Sequence, residues 1–222
     1  ADAAHFSDIL AQASARSNTN IGMMGSTFQR AAPVAAALGF SAEDTAVAIG
    51  LMANSGIKAS RAGTALVNIF NGLLEGVTLT GEAFGEYEFS AIRADGTMKG
   101  LAGTIDELRG KFAQMSEAEK VMNAKEIAGL RGYSGLLAIL NSTEEEYRSL
   151  QEEIDNCAGA AARMAEIKLD NLSGDVTLMQ SAFEGLKITI GEQFTPELRW
   201  GAKALTVLTG GVDQFVQKAP GL

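Results

Sequence analysis

Residues 54–70 read NSGIKASRAGTALVNIF, a stretch that combines Gly56, Lys58, Arg61 and a Gly63-Thr64 pair. Such text suits either a loop that cradles phosphate or a turn that joins two buried helices. A Walker-type loop needs Gly, four residues and then Gly-Lys-Ser/Thr, set between a strand and a helix. Gly56 and Gly63 are too far apart for that, and no lysine precedes Thr64. The text before it is not a strand either. In SAEDTAVAIGLMANSG, which starts at Ser41, Ala46, Ile49 and Ala53 fall three and four apart, as do Val47 and Leu51, the spacing of a helix face. The stretch reads as a corner between two buried helices.

Composition sets the outer bounds. A chain of 222 residues, 46% hydrophobic and 20% charged, has enough apolar surface for a sizeable core in one or two domains. The formal net charge of -9 opposes non-specific attraction to nucleic acid, which rests on Lys and Arg neutralising phosphates. The basic residues occur as separate pairs (Lys58 and Arg61, Lys120 and Lys125, Arg199 and Lys203), so no specific nucleic-acid binding is expected. A single Cys rules out an internal disulfide framework. The uncharged apolar runs 45–57 and 62–74 are shorter than the roughly 20 residues of a bilayer span and read as core helices. The chain opens on Ala1 without a signal region and ends on Gly221-Leu222, which reads as a segment excised from a longer chain.

Helix starts recur along the text. Ser26 with Gln29, Ser41 with Asp44, Ser116 with Glu119 and Ser142 with Glu145 fit the capping-box spacing, and Thr195-Pro196 gives a further start. These caps predict helices near 3–15, 26–38, 42–55, 60–74, 101–115, 117–129, 133–141, 143–191 and 196–217, the second kinked at Pro33. YEFSAIRADGTMKG is the strand-like exception, with Tyr87, Phe89 and Ala91 alternating and Asp95-Gly96 suited to a tight turn, which predicts a small hairpin near 87–99. The 25 glycines, above the ~7% of average usage, let helix backbones approach closely.

The last third carries the strongest periodicity. Ala162, Ala165, Leu169, Leu172, Val176, Met179, Phe183, Leu186 and Ile190 alternate in steps of three and four, a coiled-coil-like seam. Tyr147, Leu150, Ile154, Cys157 and Ala161 keep the same steps one residue out of frame, so the halves join as one helix with an adjustment near Gly159. Either the chain's own core or a partner helix, through self-association, would cover this seam. The expected fold is all-α: a multi-helix array with a long coiled-coil-like helix and one small β-hairpin. A helical core region over 1–141 is followed by the long helix and a C-terminal helix over 142–222.

Enzymatic and metal-binding readings find little to stand on. Asp2, His5 and Asp8 are three apart and share a helix face, a spacing that suits a metal, but they equally form a solvated face opposite Phe6, Ile9, Leu10 and Ala13. GYSGL at 132–136 has Leu136 where the nucleophile elbow needs Gly, and His5 is the only histidine available to it. Cys157 lies on the apolar seam and reads as a buried thiol without a neighbouring His. The acidic run STEEEYRSLQEEID reads as the solvated side of a helix, with Glu144 and Arg148 as an i,i+4 pair. No catalytic, cofactor-binding or metal residue is assigned.

AAALGFSAEDTAVAIGLMANSGIKASRAGTALVNIF resembles the core region of phage tail tape measure proteins. The matching positions are Gly39, Asn54, Gly56, Ile57, Lys58, Ser60, Ala62, Gly63, Thr64, Ala65 and Leu66. The likeness continues through Asp95-Gly96 into TIDELRGKFAQMSEAEK and returns in LSGDVTLMQSAFEGLKITIGEQFTPELR. It departs from the family at Ala128, where an aromatic usually precedes the glycine. For the corner, the resemblance implies that Gly56 ends one helix, Ser60 caps the next, Gly63 keeps the crossing close, and Lys58 and Arg61 are exposed. For function, it implies a ruler of tail length: tail tube subunits polymerise around the extended protein, escorted by tail assembly chaperones, and the protein leaves ahead of the DNA at infection. The implied location is the virion tail, and the bacterial host cytoplasm during assembly. The alternative is a secreted or virion-associated helical protein that inserts into a host membrane, motivated by the Gly- and Ala-rich text of 62–74.

Overall fold

The computed structural model describes residues 3–170. Within them the chain forms α1 (Ala3–Arg16), α2 (Ile21–Ala37), α3 (Ala42–Asn54) and α4 (Ala59–Glu75), then β1 (Val77–Gly81) and β2 (Gly85–Phe89). It ends in α5 (Leu101–Phe112), α6 (Glu117–Leu140), α7 (Glu144–Asp155) and α8 (Ala160–Asp170). The architecture is mostly α with one small antiparallel sheet, as the periodicities predict.

The corner at 54–59 is built by chain chemistry. Gly56 takes φ 82°, its N–H bonds the Ala53 carbonyl at 3.0 Å and the Ile57 N–H bonds that of Met52 at 2.9 Å, the paired closure of a Schellman motif. Gly39 ends α2 the same way, through Gly39 N–H to Ala36 and Phe40 N–H to Ala35. Asn54 ties this corner to the one between α1 and α2, its Oδ1 accepting from the Asn18 N–H at 2.8 Å. Ser60, however, does not cap α4. The N-cap lies two residues earlier, at Lys58, which makes no side-chain cap bond, and Ala59 is held at φ 52°. The buried Thr27 hydroxyl reaches the Ala59 carbonyl at 3.0 Å and fixes this start from α2. Arg61 is exposed as expected, while Lys58 is half-buried.

Other starts also move. Ser41 accepts from the Asp44 N–H and caps α3, and Ser116 with Glu119 forms a full capping box on α6. The Ser26 start is overturned: Asn20 caps α2, and the Ser26 hydroxyl lies inside the helix, bonded to the Gly22 carbonyl. At α7 the box is formed by Thr143 and Glu146, one residue past the Ser142 and Glu145 of the prediction. Ser142 instead accepts from Arg109 and donates to the Ile139 carbonyl. Pro33 is accommodated within α2, which runs on to Ala37.

The hairpin lies earlier than the text 87–99 suggests. β1 pairs with β2 from Val77 opposite Phe89 to Gly81 opposite Gly85. Asp95-Gly96 does form a tight turn, closed by the Arg93 N–H to the Thr97 carbonyl and an isolated Ile92–Met98 bridge, but it is an appendage of the ladder. Buried Asn123 fastens β1 to α6, donating to the Thr80 carbonyl at 2.8 Å and accepting from the Thr80 N–H at 2.9 Å. Glu107 of α5 accepts from the Tyr87 hydroxyl and from Lys99, which holds the opposite edge.

Helix α4 is the axis of the core and packs most extensively against α6 and α2. Glycine makes these approaches possible. A Cβ added at Gly72 would overlap the Ile127 carbonyl, and one at Gly63 would lie 2.9 Å from the Arg30 side chain and 3.2 Å from the Thr27 carbonyl of α2. Gly132 and Gly135 of α6 face Ala65 in the same manner. Two residues after Ile127, Gly129 breaks α6 with φ 61° and ψ -177°, so the predicted separation of 117–129 from 133–141 appears as a sharp break within one element. The surrounding core includes Phe70, Leu66, Ile69, Leu73, Met52 and Leu136, all at 1% exposure or less.

The single helix predicted over 143–191 is not continuous. Chain direction changes between Asp155 and Ala160, with Gly159 at φ 74°. The first half of the seam holds, since Tyr147, Leu150, Ile154 and Cys157 are buried and α7 packs on α3 and α1. Ala162, placed on the second seam, is exposed, and α8 instead turns Ala160, Ala161 and Met164 towards the core. The seam positions from Leu172 to Ile190 and the start at Thr195 lie outside the described residues.

The crossing at Gly72 yields a direct test. Gly72→Ala should lower unfolding stability in a denaturant titration by about 1–3 kcal/mol or more, because backbone rather than a yielding side chain blocks the new methyl. Gly103→Ala, in α5 with open space around it, should instead raise stability by about 0.5–1 kcal/mol.

Candidate functional site

Three of the residues that the sequence singles out for chemistry, His5, Asp8 and Cys157, converge where α1 meets the α7–α8 corner. His5, Asp8, Gln12 and Arg16 recur on α1 in steps of three and four, which sets them along one helix face. His5 Nε2 lies 2.6 Å from Glu43 Oε1 of α3. Asp8 accepts the Gly159 N–H at Oδ2 and the Ala161 N–H at Oδ1, both at 2.9 Å, so its carboxylate caps the start of α8 across the fold. Gln12 donates to Glu153 Oε2 at 2.7 Å, and Arg16 pairs with Glu153 Oε1 at 3.0 Å. The polar face expected to be solvated is therefore a seam between helices.

Cys157 sits within this seam, fully buried, with its Sγ 4.0 Å from His5 Nδ1. The expectation of a thiol without a neighbouring His is corrected: the fold brings together residues 152 positions apart. Burial would push the Glu43 carboxyl up, and its hydrogen bond and charge pairing with His5 outweigh this and hold it below its ordinary value. Burial pushes the Cys157 thiol up, and the nearby Asp8 charge adds to the effect.

Thiol, imidazole and carboxylate in line have the layout of a nucleophile, a base and its orienting group. Its chemistry here is different. The sulfur is inaccessible, its environment favours the protonated form, and the Gly159 and Ala161 amides that follow it in the chain are taken by Asp8. The arrangement clamps α1, α3 and α8 together. The metal reading fares no better: Asp2 is outside the described residues, Asp8 is occupied with amides, and no group of three or more ligands could hold an ion among the described residues.

GYSGL lies in the second half of α6, where Gly132 and Gly135 serve as close contacts to α4 rather than as an elbow. An open cleft of about 820 Å³ lies between the end of α4, the hairpin and the α6 break. Its lining includes Glu75, Glu88, Glu126, Ser90, Asn68 and Asn71, carboxylates, a hydroxyl and amides with no His, Cys or Lys among them. The partners Glu43 and Glu153 were missed in the sequence. The three-and-four spacing of His5, Asp8, Gln12 and Arg16 is the pattern that points to a partnered face, although not to which helix covers it.

This geometry predicts slow thiol chemistry. Native Cys157 should label with a thiol reagent on the order of a hundredfold or more slower than in denaturant, since reaction waits on opening of the α7–α8 corner. With its folded pKa raised, the thiol's contribution to stability is full below the ordinary thiol range and declines as pH rises through the folded value. Equal labelling rates in native and unfolded protein would refute the burial.

Comparison with known proteins finds relatives among phage tail proteins. The family model described as phage-related minor tail protein matches residues 1–129. The chain is similar to the tape measure protein of Pneumococcus phage Dp-1, at 32% identity over 218 residues that make up 98% of this chain and 19% of that protein. It is also similar to the probable tape measure protein of Escherichia phage P2, at 24% identity over 97% of this chain and 27% of that protein. The chain thus spans between about a fifth and about a quarter of the length of these relatives. No solved structure matches it. With more than half of its length covered by the family model, the chain belongs to the phage-related minor tail protein family.

Proposed function

We propose that the chain is a structural, non-enzymatic segment of a tail tape measure protein, which helps to set tail tube length during assembly and leaves through the tube ahead of the DNA at infection. The observation that carries this is alignment over 97–98% of the chain with two proteins bearing that name, each several times longer. A helical build supports it, because a ruler needs a chain whose length scales with residue number. So does the makeup of the clamp on α1, whose polar groups bind helices to one another.

On this reading the partners are tail tube subunits, with tail assembly chaperones before the tube closes, and the location is the virion tail after assembly in the host cytoplasm. The net charge of -9 suits a protein that precedes DNA without holding its phosphates. Host membrane contact during ejection would need a different state of the chain, since no helix among the described residues is long and apolar enough to cross a membrane.

The test is an in-frame deletion of residues 162–189, four heptads that lie mostly outside the described residues. At the helical rise of 1.5 Å per residue, tails of a phage carrying the deletion should shorten by about 42 Å. Whole heptads keep Ile190 in the register of Ala162. The measurement is the tail-length distribution by electron microscopy. Intact tails of unchanged length would sink the ruler reading for this segment.

A further inference from the structure

The apolar repeat and the backbone disagree at residues 156–159. Tyr147, Leu150, Ile154, Cys157, Ala161 and Met164 step by three and four without interruption, the pattern of one continuous helix. The structure nevertheless bends there, and α8 packs on α1. We infer that the α7–α8 corner is a two-state hinge, latched in the bent form by Asp8 and Gly159, and able to straighten into a single helix over 144–170.

Three observations support this independently of the functional reading. First, the departure from helix is short, residues 156–159, and within it only Gly159 has a positive φ; it is the sole glycine between 144 and 170, where there is no proline. Its φ of 74° lies in the left-handed region that other L-residues adopt at a cost. Second, the amides that Asp8 holds have helical partners waiting. In a straight helix the Gly159 N–H would bond the Asp155 carbonyl and the Ala161 N–H that of Cys157, so releasing Asp8 leaves neither unsatisfied. Third, the latch sits at the bend itself, with Gln12 and Arg16 gripping Glu153 just before it. Those two contacts hold α7 to α1 in either state, whereas the Asp8 bonds exist only in the bent one.

Spin labels placed by Glu145→Cys and Glu166→Cys in a Cys157→Ala background of the 222-residue chain report the hinge, since both positions are exposed. A straight helix separates their backbones by about 32 Å. Asp8→Ala removes the latch and leaves the glycine. Gly159→Ala keeps the latch, strains the bend and favours the helix, which together should shift the balance about tenfold or more towards the straight form. Both variants, still melting cooperatively, should show a population near that distance that is enlarged over the parent. Gly159→Asn, which tolerates the left-handed region, should keep the parent distribution. Unchanged distributions in both Asp8→Ala and Gly159→Ala would overturn the hinge. A straight population in Gly159→Asn as large as in Gly159→Ala would overturn the role given to the left-handed bend.

Discussion

Everything in this fold leans on the approach of α4 to its neighbours without side chains in between. Gly72 meets the Ile127 carbonyl, Gly63 meets α2 at Thr27 and Arg30, and Gly132 and Gly135 meet Ala65. Close contact of this kind gains dispersion over many atoms only if no methyl intrudes, and interiors packed to crystal-like density have little slack to absorb one. The break at Gly129 follows from the same constraint. Gly72 lies against the carbonyl two residues before it, and the second half of α6 sets off in a new direction that still brings Gly132 and Gly135 onto α4.

Around this axis the remaining elements are fixed by single polar side chains reaching across long sequence separations. Asn123 fastens the hairpin to α6, Glu107 fastens it to α5, Thr27 sets the start of α4, and Asp8 sets the start of α8. Each satisfies backbone groups or polar side chains that packing would otherwise leave unmatched, and a buried amide hydrogen or carbonyl left alone is costly. Apolar contact thus decides which helices meet, while a few hydrogen bonds decide where each one starts.

That division explains what the sequence made legible. The helices announce themselves because burial imposes a 3.6-residue period, and the corner at Gly56 because a Schellman closure needs a left-handed residue. The caps at Ser41 and Ser116 are local and were readable; Asn20 in place of Ser26, and Thr143 in place of Ser142, show that several adjacent polar residues satisfy one template and tertiary packing selects among them. Ser60 lost its role because Thr27, 33 positions earlier, fixes the start of α4. β1 escaped notice because VTLTG is short and follows a helix directly, although Val77 to Thr80 carries β-branched residues suited to a strand. The candidate site was half legible: the thiol was read as buried, but nothing local reveals that His5 stands beside it.

The two ways of arranging the same residues have very different lengths. Folded around one core, residues 3–170 have the compactness of a globular domain, a radius of gyration of about 15 Å and hence a width of about 40 Å. Drawn out as one helix, they would span about 250 Å. If the proposed ruler role holds, the length this segment contributes would depend on its state, and compact packing opposes extension by the whole of its folding free energy, about 5–15 kcal/mol for a domain of this kind. Tube subunits that close around the chain would have to supply at least that much in new contacts to hold it extended. A segment kept folded at one end of the tube would contribute its width alone. The bend at Gly159 is the place where the lower-cost step lies, because straightening it releases α8 from α1 while the glycine-mediated crossings of α4 stay intact.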